Sequence, residues 1–392
     1  MCALKTYRLR RRISQVFLKS TFVSSICFGL LPFYYNQRQQ RFITSKWISI
    51  YNIFINVIFV AMMSFVLPMF SYFEDPLETD EPLIKILNRF TSYASLSAVI
   101  LTWCVNWTGR QKLQLLFNEF ATIEADYFCR YKHLVNECAI FDCYLLWKGF
   151  AIVLQNTSYI YTTTLAVNAS WIFFLWMCLM ALLTNVIFLV LAHFFLAVLY
   201  TYRFIWVLNR RLQTIADIEV QRRHCRLLVV EIDTIASIYL RLIRLCEAYT
   251  RIHQFQLLLV VACVTACNIE VLFYIRLLWS GKTFALNAAN VLAVAQIFFV
   301  NVLDFWLTIT ICELAVVTSR TTLEILRGFS EKTELAIPVE RSLECFAILC
   351  CSKKLQFHLC GLFDINHLSG LKVLMTMILY LIYLVQYHNE NE

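Results

Sequence analysis

Seven stretches of the chain are dominated by apolar side chains: Trp47 to Phe70, Leu83 to Trp107, Val135 to Tyr159, Ser170 to Tyr202, Phe255 to Leu278, Leu286 to Cys312 and Leu368 to Tyr387. About 20 apolar residues in a helix, rising 1.5 Å each, cross the ~30 Å hydrocarbon core of a bilayer, so every one of these stretches is long enough to span it once. A different pattern fills residues 203–254. There Ile232, Ile235, Tyr239, Leu242, Cys246 and Tyr249 recur at three- and four-residue spacings, the stripe of an amphipathic helix leading straight into the fifth span. Such a stripe suits packing on its own subunit or against a neighbouring one. Near the N-terminus, Phe22 to Tyr35 is apolar but short and holds Pro32, which predicts a short helix at the inner membrane face.

Charge orients the spans. Segments 1–46, 108–134, 203–253 and 313–366 hold 28 of the 34 Lys and Arg residues, whereas SYFEDPLETDEP after the first span and the tail HNENE hold none. Basic residues collect on the cytoplasmic side, so the N-terminus lies inside and, after seven crossings, the C-terminus outside. The expected architecture is all-α, a polytopic membrane protein with cytoplasmic helical extensions of spans four to seven. Its parts are a cytoplasmic N-terminal segment (1–46), helices one to four with the ligand-binding side (47–202), the amphipathic helix (203–254), helices five and six (255–312), a second cytoplasmic helical region (313–367), the last transmembrane helix (368–387) and an extracellular tail (388–392).

Composition agrees, with 60% hydrophobic and 15% charged residues against ~25% charged in soluble domains. The net charge of +8 is spread through loops between spans, which argues against nucleic acid as a partner and for contact with membrane lipid. The 16 cysteines form no zinc-ligand pattern with histidine and read as reduced core residues. No P-loop, nucleotide-binding glycine turn, His-Glu-x-x-His or Gly-x-Ser-x-Gly occurs, so neither an enzyme nor a bound cofactor is expected. Two sequons, at Asn156 and Asn168, fall in what reads as an outer loop.

Ionisable groups at membrane depth cost roughly 2.5–3.5 kcal/mol each, which singles out Lys148, Glu270 and Asp304 as residues facing protein or water. Lys148 and Glu270 make a pair if spans three and five touch; Asp304 reads as a structural ion-pair member. Following each span's direction, the outer-half polar and aromatic set is Tyr93, Gln155, Tyr159, Trp171, Trp176, Glu270, Tyr274, Asn290 and Gln296. Aromatic walls with a few amide and carboxylate groups suit a small amphipathic ligand.

In the last span, Met375, Leu379, Ile382 and Gln386 lie at helical spacings on one face. Aliphatic rings deep in the membrane with an amide ring near the exit would make a hydrophobic gate in series with a weak polar filter. The end of this span, Leu379-Tyr380, LIYLV, Gln386-Tyr387, resembles the signature of insect gustatory receptors, Thr-Tyr, five apolar residues and Gln-Phe, with Leu379 for Thr and Tyr387 for Phe. LQFHLCGLFDINHLSG (355–370) and FGLLPFYYN (28–36) resemble the family too, the latter its fly bitter-type members. The resemblance implies a ligand-gated, non-selective cation channel in the plasma membrane of chemosensory neurons, opened by a small-molecule tastant. It further implies a homo- or heterotetramer with related receptors, a pore lined by each last helix with Tyr387 joining Met375, Leu379, Ile382 and Gln386, and an amphipathic stripe used across subunits. The competing reading is a metabotropic seven-helix receptor; the expected inside-to-outside orientation and the lack of Asp-Arg-Tyr and Asn-Pro-x-x-Tyr motifs weigh against it.

Overall fold

The computed structural model describes residues 2–36, 38–73, 82–166, 171–217, 225–280, 288–330 and 336–391. Most of them are helical. Helix α1 (Cys2–Cys27) ends where Gly29 turns the chain at φ +68°, and Phe33–Asn36 (β1) pairs antiparallel with Arg41–Thr44 (β2). This corrects the short helix expected over Phe22 to Tyr35. The helix is long but stops eight residues earlier, because a left-handed glycine and Pro32 break it and FYYN and RFIT carry the aromatic and β-branched residues that favour strands. Asn36 closes the hairpin by accepting the Arg38 amide at 2.9 Å, an Asx turn.

Next come α2 (Lys46–Phe73), α3 (Pro82–Thr108), α4 (Arg110–Asp126), a 3₁₀ turn (Phe128–Tyr131), α5 (Lys132–Glu137) and α6 (Ala139–Ala166). Three longer helices follow, α7 (Trp171–Asp217), α8 (Cys225–Ser280) and α9 (Ala288–Ser330). The chain closes with α10 (Ile337–Ser352), a two-residue hairpin, β3 (His358–Leu359) with β4 (Phe363–Asp364), and α11 (His367–Asn391). Among the described residues, Cys178–Ala216, Arg226–Phe273, Ala295–Phe329 and His367–Tyr387 are long and apolar enough to cross a membrane.

At 1.5 Å per residue, the 47, 56 and 43 residues of α7, α8 and α9 reach about 70, 84 and 64 Å, roughly two to three times a bilayer's hydrocarbon thickness. Their excess length forms a helical bundle with α4 and α10, and the largest hydrophobic core lies there. The whole stripe from Ile232 to Tyr249 is buried in that core, Ile232, Ile235 and Leu242 completely. That face of α8 is therefore filled by the chain itself, which corrects the placement of the stripe between subunits. Each fully buried Ile or Leu contributes about 1.5–3 kcal/mol. Polar ties fix the register: Asn209 Nδ2 donates to the Thr318 carbonyl (2.9 Å), Thr322 donates to Asn209 Oδ1 (2.7 Å), and Tyr239 shares a hydrogen bond with Ser319 (2.6 Å). Arg241 pairs with Glu119 at 2.6 Å and Arg211 with Glu231 at 2.5 Å on the half-exposed rim.

Asn156 lies inside α6 rather than in a loop, because no glycine or proline interrupts residues 150–166 and the helix runs on. Its amide donates to the Ile152 carbonyl (2.8 Å), and the sequon's Ser158 is buried, so this sequon is not presented as a flexible acceptor. Asn168 and most of the acidic loop after α2 lie outside the described residues.

Gly29 anchors the entry to the hairpin: an added Cβ would stand 2.6 Å from Asn56 Oδ1 on α2. Gly29→Ala is expected to cost about 1–2 kcal/mol for the left-handed backbone alone, read as a lower thermal midpoint of the purified protein. An unchanged midpoint would show that the turn relaxes freely.

Candidate pore and ligand site

Helix α11 starts at a built cap. Asn366 Oδ1 accepts the Ser369 amide (2.8 Å) and the Asn366 carbonyl accepts the Gly370 amide (3.0 Å), satisfying donors that a helix start leaves free. Gly370 lets the first turn sit against α9, where an added Cβ would meet Ile309 Cδ1 at 2.4 Å, and His367 lies 5.4 Å from the Trp306 ring. Further along, Met377 and Leu384 are buried against Ile269 and Phe273 of α8, with Val373, Leu381 and, on α3, Leu87 packed beside them. At 100° per residue these α11 positions share one face, and Met375, Leu379, Ile382 and Gln386 lie on the opposite one.

That opposite face is exposed in the single chain, Leu379 to 63% and Met375 to 52%. Tyr387 does not join it, being half-buried at the flank. Only 17% of the most apolar part of α11 is buried, against 61% for α7 and 56% for α9. A helix of this hydropathy with one face on its own chain and the other bare has a surface for lipid, neighbouring subunits or a pore.

The buried charges pair otherwise than expected. Lys148 Nζ meets Asp304 Oδ1 at 2.5 Å with both side chains almost wholly buried, so Lys148 joins α6 to α9 and not to Glu270 of α8. The pairing follows from register, since α6 and α9 lie side by side over Gln155, Gln296 and this pair. Seven residues along α6 and eight back along α9 comes a second polar rung, where Gln296 Nε2 donates to the Leu154 carbonyl (3.1 Å) beside buried Gln155. Lys148 also stands 5.3 Å over the Phe195 ring of α7. Glu270 instead faces Thr91 of α3, while its neighbour Ile269 points into the α11 contact.

The ligand candidates thus fall into places rather than one pocket. Gln155 and Gln296 lie on the α6–α9 seam and Glu270 at the α3–α8 contact, while Tyr93 is exposed and turned outward. The side chains of Tyr159, Trp171, Trp176, Tyr274 and Asn290 lie outside the described residues. The polar ladder on α6 and α9 went unforeseen, although the seven- and eight-residue spacings Lys148 to Gln155 and Gln296 to Asp304 carry its signal.

Breaking a buried ion pair leaves an uncompensated charge and costs about 3–5 kcal/mol, while replacing both partners by apolar groups is often neutral. Lys148→Met alone is expected to abolish most surface expression and lower the thermal midpoint; adding Asp304→Leu restores much of both. Equal behaviour of the single and double variants would show that the pair does not hold α6 on α9.

Residues 18–391 match the 7tm chemosensory receptor family. The chain is 28% identical to the gustatory receptor for bitter taste 22e of Drosophila melanogaster, over 97% of each chain, and 26% identical to putative gustatory receptor 22a of the same species, over 99% of this chain and 97% of that one. Its fold is similar to the insect olfactory receptor OR5 from Machilis hrabei, with a TM-score of 0.72 at 12% identity over 95% of this chain and 98% of that one. The same receptor in complex with eugenol gives a TM-score of 0.64. With its several long apolar helices and its similarity to fly gustatory receptors, the chain belongs to the 7tm chemosensory receptor family.

Proposed function

We propose that the chain is a gustatory receptor subunit that works as a ligand-gated cation channel, with α11 of each of four subunits around one pore. The observation that carries this reading is the division of α11 into a packed face, centred on Met377 and Leu384, and a bare face of Met375, Leu379, Ile382 and Gln386. In a tetramer those bare faces would meet on the axis, placing thioether and aliphatic rings in the membrane and an amide ring at the exit. The topology proposed with it is seven crossings, N-terminus inside, which leaves Gln386 at the outer side. Co-subunits are related receptors or further copies of this chain.

The tastant would bind at the outer ends of the helices, where Gln155, Gln296 and Glu270 offer hydrogen-bonding groups between aromatic-rich helices. A bitter ligand is supported by the similarity to the receptor for bitter taste 22e, and a small amphipathic one by the eugenol complex of the olfactory receptor with the same fold. A ligand opens such a channel only by its difference in affinity between closed and open states; moving a closed-to-open ratio from 1:99 to 99:1 needs about 10⁴-fold.

The test is whole-cell current in cells expressing the chain, alone and with related receptors, during application of bitter compounds with G-protein signalling blocked. The expected result is a rapid current that survives the block and whose ion preference changes with Gln386→Ala. A ligand-dependent second messenger without current would assign the metabotropic mode instead, and unchanged permeation in Gln386→Ala would move the pore elsewhere.

A further inference from the structure

We propose that a cavity lined by α1, the β1–β2 hairpin, α4 and the His193–Phe204 part of α7 binds an organic ammonium ion carried on an apolar body. The cavity measures about 550 Å³, within the ~300–1,000 Å³ of small-molecule sites. It shares no residue with the ligand candidates above. Along α8, its Tyr249 lies 21 residues from Glu270, about 30 Å away.

Aromatic rings form a continuous wall. Phe22 lies 5.9 Å from Phe42, Phe42 lies 5.4 Å from Phe117, and Phe117 lies 6.4 Å from Tyr249. The wall is held in place: the Phe42 amide donates to Asn118 Oδ1 (2.6 Å), and its carbonyl accepts from Asn118 Nδ2 (3.1 Å) and Gln114 Nε2 (2.9 Å). A strand clamped to α4 by three hydrogen bonds keeps its ring without help from a ligand.

One acid opens into this space. Glu124 lies seven residues after Phe117 on the same face of α4, lines the cavity and is exposed. Among the described residues it makes no hydrogen bond or ion pair. Arg203 is near enough to favour its charge, but the guanidinium is committed elsewhere, donating to the Val135 carbonyl at 3.0 and 3.2 Å and stacking 4.3 Å from the Phe141 ring. Although Glu124 is exposed, the protein packed around it outweighs Arg203 and pushes the carboxyl above its usual range.

A carboxylate with no hydrogen-bonding partner in the protein, set beside aromatic faces, is best matched by a weakly hydrated organic cation, which can lie over the rings while it neutralises the acid. A metal ion is poorly suited, since among the described residues no three His, Cys, Asp or Glu side chains gather to hold one. A neutral amphiphile would fill the space and leave Glu124 unpaired. The ammonium could come from a free aromatic amine or from a choline headgroup of a neighbouring lipid.

The test uses the full-length protein purified in a maltoside detergent, which carries no amine, with benzyltrimethylammonium and its uncharged carbon isostere neopentylbenzene as probes. Binding is read from ligand-dependent thermal stabilisation. The expected result is that Glu124→Gln weakens the cation about tenfold or more while leaving the isostere unchanged, and that Ala197→Trp, which fills the cavity, weakens both. Should Glu124→Gln fail to fold, Glu124→Asp keeps the charge and is expected to keep the preference for the cation. Loss of that preference, absence of cation binding to the unmodified protein, or equal affinity in Glu124→Gln overturns the proposal. Repeating the titration in phosphatidylcholine and phosphatidylglycerol nanodiscs separates the sources. Because anionic phosphatidylglycerol itself concentrates a cation, the uncharged isostere decides: weaker binding of both probes in phosphatidylcholine identifies the headgroup as the occupant, and equal binding of the isostere identifies a free amine, either one supporting the ammonium site.

Discussion

The mismatch between the length of α7, α8 and α9 and the thickness of a bilayer governs the rest of the architecture. Helices of 43 to 56 residues cannot be contained by ~30 Å of hydrocarbon. The surplus must leave the membrane as helix, and outside lipid its apolar faces have to be covered by protein. The chain does this with itself: α4 and α10 close over the stripe from Ile232 to Tyr249, and the Asn209–Thr322 and Tyr239–Ser319 contacts lock the three long helices in register. The short α11, 25 residues, packs on the body through one face, touching that core with Val373.

What was legible in the sequence divides along the same line. Helix type and extent follow from local apolar runs, so the apolar segments and the helical character of 225–280 could be read directly. What each face touches depends on register between elements distant in sequence. The stripe on α8 was visible, yet whether its partner lay within or between subunits was not, because periodicity records an apolar face and not its neighbour. Lys148 is the same case, since its choice of Asp304 over Glu270 rests on which helix stands beside α6. Asn156 was misplaced for a third reason, the expectation that hydrophobicity and helix end together. That Met375, Leu379, Ile382 and Gln386 share one face follows from helical counting alone, whereas what that face meets does not.

The inner cavity was hidden for a geometric reason. Phe42 from a four-residue strand, Phe22 from α1 and Phe117 with Glu124 from α4 come from three elements separated by up to about a hundred residues, and only the hairpin turn after Gly29 brings the first two beside the third. Nothing in a linear apolar pattern marks a hairpin folded back on a helix. Glu124 carries no signal of its own within the basic segment 108–134.

How a ligand could act on α11 follows from which helices touch both places. On α8, consecutive residues have different partners, since Glu270 faces Thr91 of α3 and Ile269 packs on Met377 and Leu384 of α11. On α9, Gln296 lies at the seam with α6, while Ile309 and Trp306 hold the first turn of α11 at Gly370 and His367. A shift of α8 at Glu270 would therefore move the far end of the α11 seat and a shift of α9 at Gln296 its start, and the buried Lys148–Asp304 pair ties α9 to α6. Because close-packed interfaces have discrete arrangements and resist continuous deformation, such a seat favours switching over gradual drift. With Lys148 and Asp304 committed to each other at the seam, rotation of α9 against α6 would break a buried pair. A motion that spares that pair keeps α6 and α9 together, and the Tyr239–Ser319 tie confines it to the part of α8 and α9 away from the bundle.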